Sequence, residues 1–328
     1  MKKLFALFLC AIMALSVACA TAETAPEETG KLVLYSPLTT SMIENMLAMF
    51  EADTGIKTEC LAMGTGDALK RIAAESENPQ CDILWSGTIG TVKNSSQYFQ
   101  DYTCANEDAF YEQYRNVEGN MTRFDCVPSV IMINTDLIGD IEINGYEDLL
   151  NPELKGKIIV AAPDASSSGW RQLQTILATM GDEFDDDKGW NYIEQLLPSC
   201  FSTTSSKDVY NLVINGEYVV GLSYESGVVA QIKDGAQVDC VYMEEGNTAM
   251  AGGAAITKNA PNLVAAQAMM DILSSAEFQS ARAEVASGRG SNGNCNLNGL
   301  PEESSMTVKP LDFDYLTANK EALIGRWN

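Results

Sequence analysis

Three short apolar runs, each ending in Ser, Thr or Gly and leading into a helix-spaced pattern, constrain this chain more than any other feature. Lys31-Leu-Val-Leu-Tyr35 ends at Ser36-Pro37 and reads as a buried strand with its exit loop. From about Ser41, Ile43, Met46, Leu47 and Phe50 follow i, i+3, i+4, i+7, which predicts an amphipathic helix stopped at Thr54-Gly55. Ile56 to Met63 reads as a second strand, and Gly64-Thr65-Gly66 then opens a helix carrying Leu69, Ile72 and Ala73. Asp82 to Trp85 reads as a third strand, ending at Ser86-Gly87. Alternation of this kind builds an α/β fold around a parallel sheet.

A second unit of the same kind follows. Val127 to Asn134 is a long strand, Lys157 to Ala161 another, and Ser166-Ser167-Ser168-Gly169 leads into a helix with Trp170, Leu173, Ile176 and Leu177 on one side. Helices are predicted over Gly189–Leu197 and Lys207–Asn215, and strands over Tyr218–Ser223, Val238–Met243 and Gly252–Ile256. Pro261–Leu273 reads as a helix with Pro in its first turn, Ser287–Gly299 as a loop, and Phe313–Trp327 as a last helix. The 328 residues fit roughly two domains at about 150 residues each.

Charge and composition exclude several function classes. Lys and Arg total 21 against 45 Asp and Glu, a formal net charge of −24, which argues against nucleic acid and against a basic patch on anionic lipid. His is absent, so Ser-His-Asp and Cys-His catalysis, His metal sites and HExxH helices are excluded. Gly288-Arg289-Gly290-Ser291-Asn292-Gly293 spells GxGxxG, but it neither follows a clear strand nor opens a helix, so it reads as a flexible loop.

The N-terminus reads as an address. Lys2 and Lys3 precede an apolar stretch from Leu4 to Cys19, short for a membrane span and fitting a signal peptide over residues 1–22. Ala20-Thr21-Ala22 offers simple cleavage. Leu15-Ser-Val-Ala-Cys19 offers the rival, lipid attachment at Cys19. Residues 23–30 read as a tether. Beyond the signal stand Cys60, Cys81, Cys104, Cys126, Cys200, Cys240 and Cys295, an odd set with no CxxC. They read as small buried hydrophobes, with one or two disulfides as the alternative.

In α/β sheets, ligands sit at the carboxyl ends of strands. The residues that follow these strands are therefore the binding candidates: Ser36, Thr39, Thr65, Gly66, Ser86, Gly87, Ser166, Ser167, Ser168 and Gly169. Hydroxyls beside free N–H groups at a helix start make a neutral cradle for an oxyanion. Tyr224, Glu225 and Glu245 also follow strand ends and could accept sugar hydroxyls or an ammonium. Asp185-Asp186-Asp187 reads as a solvated helix start. The reading assigns no catalytic residue, no cofactor and no resident metal.

The ordered set of motifs resembles the extracytoplasmic solute-binding proteins of bacterial ABC importers, in the group that holds binders of ferric iron, 2-aminoethylphosphonate and hexose phosphates. The matching stretches are Leu34–Pro37, Phe50–Ile56, Gly64–Gly66, Asp82–Gly87, Asn151–Lys157, Ala165–Trp170, Gly221–Glu225, Tyr242–Gly246 and Phe313–Trp327. The resemblance implies a two-lobe periplasmic-binding-protein fold (type II) with the ligand between lobes joined by two crossing segments, near Val127–Asn134 and Thr248–Ile256. Lobe one would be 31–127 plus 250–328 with the C-terminal helices, and lobe two 128–249. It further implies an exported, monomeric, non-enzymatic receptor that serves a membrane permease. Iron binders of the group usually present adjacent tyrosines and often a His. Here Ser223-Tyr224-Glu225 leaves one phenol, so a small organophosphate or phosphonate is the expected ligand. Fe(III), another anion, thiamine or a polyamine, and an exported enzyme are the alternatives.

Overall fold

This computed structural model describes residues 30–37, 40–116 and 119–328. The expected signal peptide, most of the tether, Cys10, Cys19 and Thr39 lie outside the described residues. No helix among the described residues is long and apolar enough to cross a membrane.

The first sheet is built from the alternation read in the sequence. β1 (Lys31–Ser36), β2 (Lys57–Ala62) and β3 (Ile83–Thr88) are parallel in the order β2-β1-β3, with α1 (Thr40–Thr54) and α2 (Thr65–Ala74) as crossovers. β4 runs from Thr122 to Asn134, and β9 (Ala249–Ile256) pairs antiparallel with both β3 and the first half of β4. β4 thus starts five residues before the expected Val127. Arg123 and Asp125 break the apolar run, yet both are buried, Asp125 in an ion pair with Arg282 and Arg123 donating to the Gln113 carbonyl at 3.1 Å. Pro128, which can donate no ladder bond, is the last residue paired to β9.

The second half of β4 belongs to the second sheet. There it pairs antiparallel with β7 (Val220–Tyr224) and β8 (Val238–Val241), while β5 (Ile158–Ala161) lies parallel to β7 and to β6 (Cys200–Thr203). β6 was not expected, because its four residues are all exposed or half-buried and show no alternation. α4 (Ser167–Met180), α5 (Asp187–Leu196), α6 (Ser206–Ile214) and α7 (Glu225–Lys233) cover this sheet, and α8 (Leu263–Ser274) and α9 (Ala276–Ala286) return to the first.

Each sheet has a core on both faces, as side-chain alternation requires. On the first, Leu32, Leu34, Ile83 and Trp85 meet α1 and α8, while Tyr35 and Leu84 meet Ala68 and Ile72 of α2. On the second, Ile131, Ile158, Val160 and Leu222 meet α4 and α5, while Val130, Met132 and Ile159 meet α6 and α7. The last helix, α10 (Phe313–Trp327), departs from its expected place with the first unit. Leu316, Leu323 and Trp327 join the α4/α5 core, and the Lys93–Asp314 ion pair reaches back to α3 (Ile89–Lys93).

All seven cysteines from Cys60 onward are free. Burial pushes the thiols of Cys60 and Cys104 up to about 11, and those of Cys200 and Cys240 up to about 12.

Candidate functional site

Strand direction places the site. β3 and β4 are both antiparallel to β9, so they run the same way, and β7 runs against β4. The parallel strands of the two sheets therefore point at each other. β3 ends level with Asp125 of β4, through Gly252, and β7 ends level with Ser129. Four residues of β4, about 13 Å of extended chain, separate the two sets of carboxyl ends.

The expected site residues fall on the two sides of this gap. Ser36 and Gly87, both buried, and Ser86 lie at the ends of β1 and β3, and Thr65-Gly66 opens α2 just past β2. Across the gap, Ser166–Gly169 opens α4 past β5, and Tyr224-Glu225 opens α7 past β7. Val160 pairs with Leu222, which puts these last two helix starts side by side.

The helix starts at the gap share a property. The residues before α2, α4 and α7 (Gly64, Ser166 and Tyr224) cap nothing with their side chains. Ser166 Oγ instead lies 3.0 Å from Ser168 Oγ. Elsewhere, Asp186, Ser205, Ser275 and Asp312 each accept from a backbone N–H and cap α5, α6, α9 and α10. The start of α4 is pressed onto β5. A Cβ on Gly169 would meet the Ala161 carbonyl oxygen at 2.1 Å, so only glycine fits.

A groove of about 280 Å³ opens where β4 changes sheets, lined by Val127, Tyr210, Tyr224, Ser226 and Arg282 among others. Tyr224 is the expected site residue that lines it. Burial, with a hydrogen bond to Tyr224, pushes the Tyr210 phenol up to about 12. Arg282 pairs with Asp125 and lies over the Phe124 ring, 5.3 Å from its centroid. Asp125 Oδ1 accepts from Gly252 N at 2.8 Å, and a Cβ on Gly252 would meet that oxygen at 2.2 Å. Arg171 reaches the same place. Its Nη1 donates to the Val127 carbonyl at 3.5 Å, and its Nη2 lies 3.7 Å from Met250 Sδ.

Two carboxylates expected at the site are engaged by the protein, Glu225 through both oxygens and Glu245 through one. Glu225 is fully buried and accepts from Arg289 Nε at 3.0 and 3.1 Å, from Arg289 Nη2, and from Tyr242 Oη at 2.7 Å. Burial alone would lower the Arg289 pKa, but the hydrogen bonds and charge of Glu225 more than offset it, and the net direction is up. Glu245 Oε1 accepts from Glu147 N at 2.8 Å, and its other oxygen rests on Gly145, where a Cβ would meet it at 2.1 Å.

The GxGxxG stretch is a loop, as expected, but not a flexible one. Arg289, Ser291 and Asn292 are buried, and Arg289 bridges Cys126 of β4. Among the described residues, no group of three or more His, Cys, Asp or Glu could hold a metal ion.

Sequence reasoning missed Arg282 and Tyr210 as groove residues, and Asp125 as the partner of Arg282. Arg282 comes from α9 and meets a partner 157 residues away, a distance no local pattern reveals. Arg171 carried a weak signal. It stands one turn after Ser167, and helical side chains lean toward the N-terminus.

The family described as "Bacterial extracellular solute-binding protein" matches residues 32–284. A probable ABC transporter periplasmic-binding protein (y4fP) of Sinorhizobium fredii is 24% identical over 236 residues, 70% of this chain and 65% of that protein. The structure of the periplasmic binding protein AfuA from Actinobacillus pleuropneumoniae, with exogenous fructose-6-phosphate bound, superposes with a TM-score of 0.73 at 25% identity, covering 92% of this chain and 98% of that one. Iron-bound HitA from Pseudomonas aeruginosa superposes with a TM-score of 0.75 at 16% identity, covering 91% and 99%, a likeness of fold.

Proposed function

Because this chain belongs to the bacterial extracellular solute-binding protein family, we propose that it captures a phosphorylated small molecule in the gap between its two sheets and delivers it to an ABC permease. It is a receptor rather than an enzyme. The observation that carries the ligand class is the set of uncapped helix starts. α2, α4 and α7 bring N–H groups without side-chain partners to the gap, while α5, α6, α9 and α10 elsewhere are capped by side chains and α8 is not. Such starts favour an oxyanion through both their N–H groups and the helix dipole. Ser36, Thr39, Thr65, Gly66, Ser86, Gly87 and Ser166–Gly169 are the proposed contacts to the anionic head, with Tyr224 beside the other end of the ligand. Glu225 and Glu245 serve this reading from behind, by fixing α7 and the Gly145–Glu147 turn.

The two sheets act as the two lobes in this proposal. β4 leaves β9 after Pro128, and Ser129 N donates to the Thr248 carbonyl at 3.1 Å, so both crossings lie together and suit a hinge. The receptor works outside the cytoplasm, as its family does, and as a monomer. Lipid attachment at Cys19 is the alternative to free secretion.

A thermal-shift panel tests the ligand. It holds fructose 6-phosphate, glycerol phosphate, 2-aminoethylphosphonate, inorganic phosphate and Fe(III)-citrate. A ligand at about 100 times its dissociation constant adds roughly 2.7 kcal/mol. We expect stabilisation by a phosphorylated compound and none by iron. A response to Fe(III) alone would replace this reading with an iron receptor, whose phenols would be Tyr210 and Tyr224.

A further inference from the structure

Arginines gather at the gap in a chain of formal net charge −24. Arg171, Arg282 and Arg289 all stand beside β4 residues 125–127; Glu225 and Glu303 answer Arg289, and Asp125 answers Arg282. Asp125 is fully engaged: Oδ2 takes Arg282 Nη2, and Oδ1 takes Gly252 N at 2.8 Å. Arg171 is left with a carbonyl at 3.5 Å and a thioether sulfur at 3.7 Å, both at the outer limit of hydrogen bonding. Its Nε is buried and has no partner among the described residues. Burial pushes its pKa down, against the nearby Asp125 and Tyr224, so the cation is poorly solvated where it stands. A guanidinium nevertheless keeps its charge at any pH the protein meets.

Three features then coincide within one helical turn: an under-partnered guanidinium, the Ser166–Ser168 hydroxyls, and an α4 start without a side-chain cap. The Tyr224 groove adjoins them through Val127, whose carbonyl takes Arg171 and which also lines the groove.

We propose that Arg171 determines the specificity of this site, by pairing its free N–H groups with two oxygens of a dianionic phosphate or phosphonate head. The inference rests on the reading of the gap as an oxyanion site, and it replaces binding by neutral donors alone with binding by a charge. Two parallel N–H···O bonds select a planar pair of oxygens, which a lysine ammonium cannot match. A neutral sugar leaves the guanidinium unpaired, so the same residue that captures the phosphorylated solute rejects its dephosphorylated form.

The test is calorimetric titration of the purified protein with fructose 6-phosphate, 2-aminoethylphosphonate and fructose, at two salt concentrations. The wild type should bind a phosphorylated probe and not fructose, with affinity falling as salt rises. Arg171→Gln should weaken that binding by about 100-fold or more. Arg171→Lys should recover part of it, and the salt dependence should flatten in the Gln variant but not in the Lys variant. A structural role alone would move the melting temperature of the ligand-free protein, not the salt dependence. If the wild type binds a phosphorylated probe and Arg171→Gln binds it within about threefold, equivalent to about 0.7 kcal/mol, the assignment of Arg171 is wrong and the site reading survives. If the wild type binds neither phosphorylated probe, the site reading fails and takes the assignment with it. If Arg171→Gln does not fold, Arg171→Lys decides. Unchanged affinity in that variant would overturn the bidentate pairing.

Discussion

Arg171 and Arg289 stand beside the same strand under opposite conditions. Arg289 is 1% exposed, holds Glu225 with three hydrogen bonds, donates to the Pro301 carbonyl at 3.0 Å and lies 3.5 Å from Glu303. Arg171 has two marginal contacts and a bare Nε. The same contrast divides the helix starts, since Asp186 caps α5 while Ser166 caps nothing on α4. Arg289 and the start of α5 are satisfied by the protein, while Arg171 and the start of α4 are not. A protein loses stability by leaving such groups open, which supports the proposal that a ligand takes them.

The contrast can be broken most forcefully at Arg289. Arg289→Met leaves Glu225 buried without its cation and should lower unfolding stability by about 3–5 kcal/mol. Denaturant melts of the ligand-free protein would read it. A loss below about 1 kcal/mol would show that this pair is no more satisfied than Arg171.

A smaller effect is expected at the capped helix. Asp186→Ala should cost about 1 kcal/mol. The Asp186 carboxyl sits below its ordinary 3.8 because the N–H groups of Gly189, Glu183 and Asp182 donate to it. A depressed carboxyl stabilises above its unfolded pKa, and the contribution fades as pH falls through its folded value. The difference in melting temperature between wild type and Asp186→Ala should therefore be full at neutral pH and shrink in acid. A difference that grows in acid would contradict the assignment of this carboxylate as the cap.

The smallest change is expected at Ser166. Ser166→Ala should alter ligand-free stability by no more than about 0.5 kcal/mol, because no N–H loses an acceptor. It should still shrink the thermal shift given by a phosphorylated ligand. Equal ligand shifts in wild type and variant would remove Ser166 from the site.

Much of this fold was legible because it is locally encoded. The strand exits at Ser36, Ser86, Ser166 and Tyr224 were read from apolar runs and helix spacing alone; Ser36 and Tyr224 end β1 and β7, Ser86 stands two residues before the end of β3, and Ser166 stands directly before α4, five residues past β5. What escaped was non-local. The first half of β4 hid behind Arg123 and Asp125, whose charges make sense only beside Gln113 and Arg282. Glu225 was read as a free acceptor because its partner lies 64 residues away, in a stretch that looked like a loose glycine-rich loop. Its bidentate arginine could not be inferred from spacing. α9 was unread because Ala276–Ala286 has no apolar stripe.

The strand order also has a consequence for how the molecule is made. β3 waits for β9, which is separated from it by the whole of the second sheet. A chain that leaves its membrane pore N-terminus first exposes β1, β2 and β3 early, with one flank of β3 open. The second sheet, drawn from β4 to β8 without a break, can assemble before that flank is closed. Vectorial emergence therefore makes the earliest-exported part of the protein the last to be finished. Its unprotected edge is where a secretion chaperone would have the most to cover.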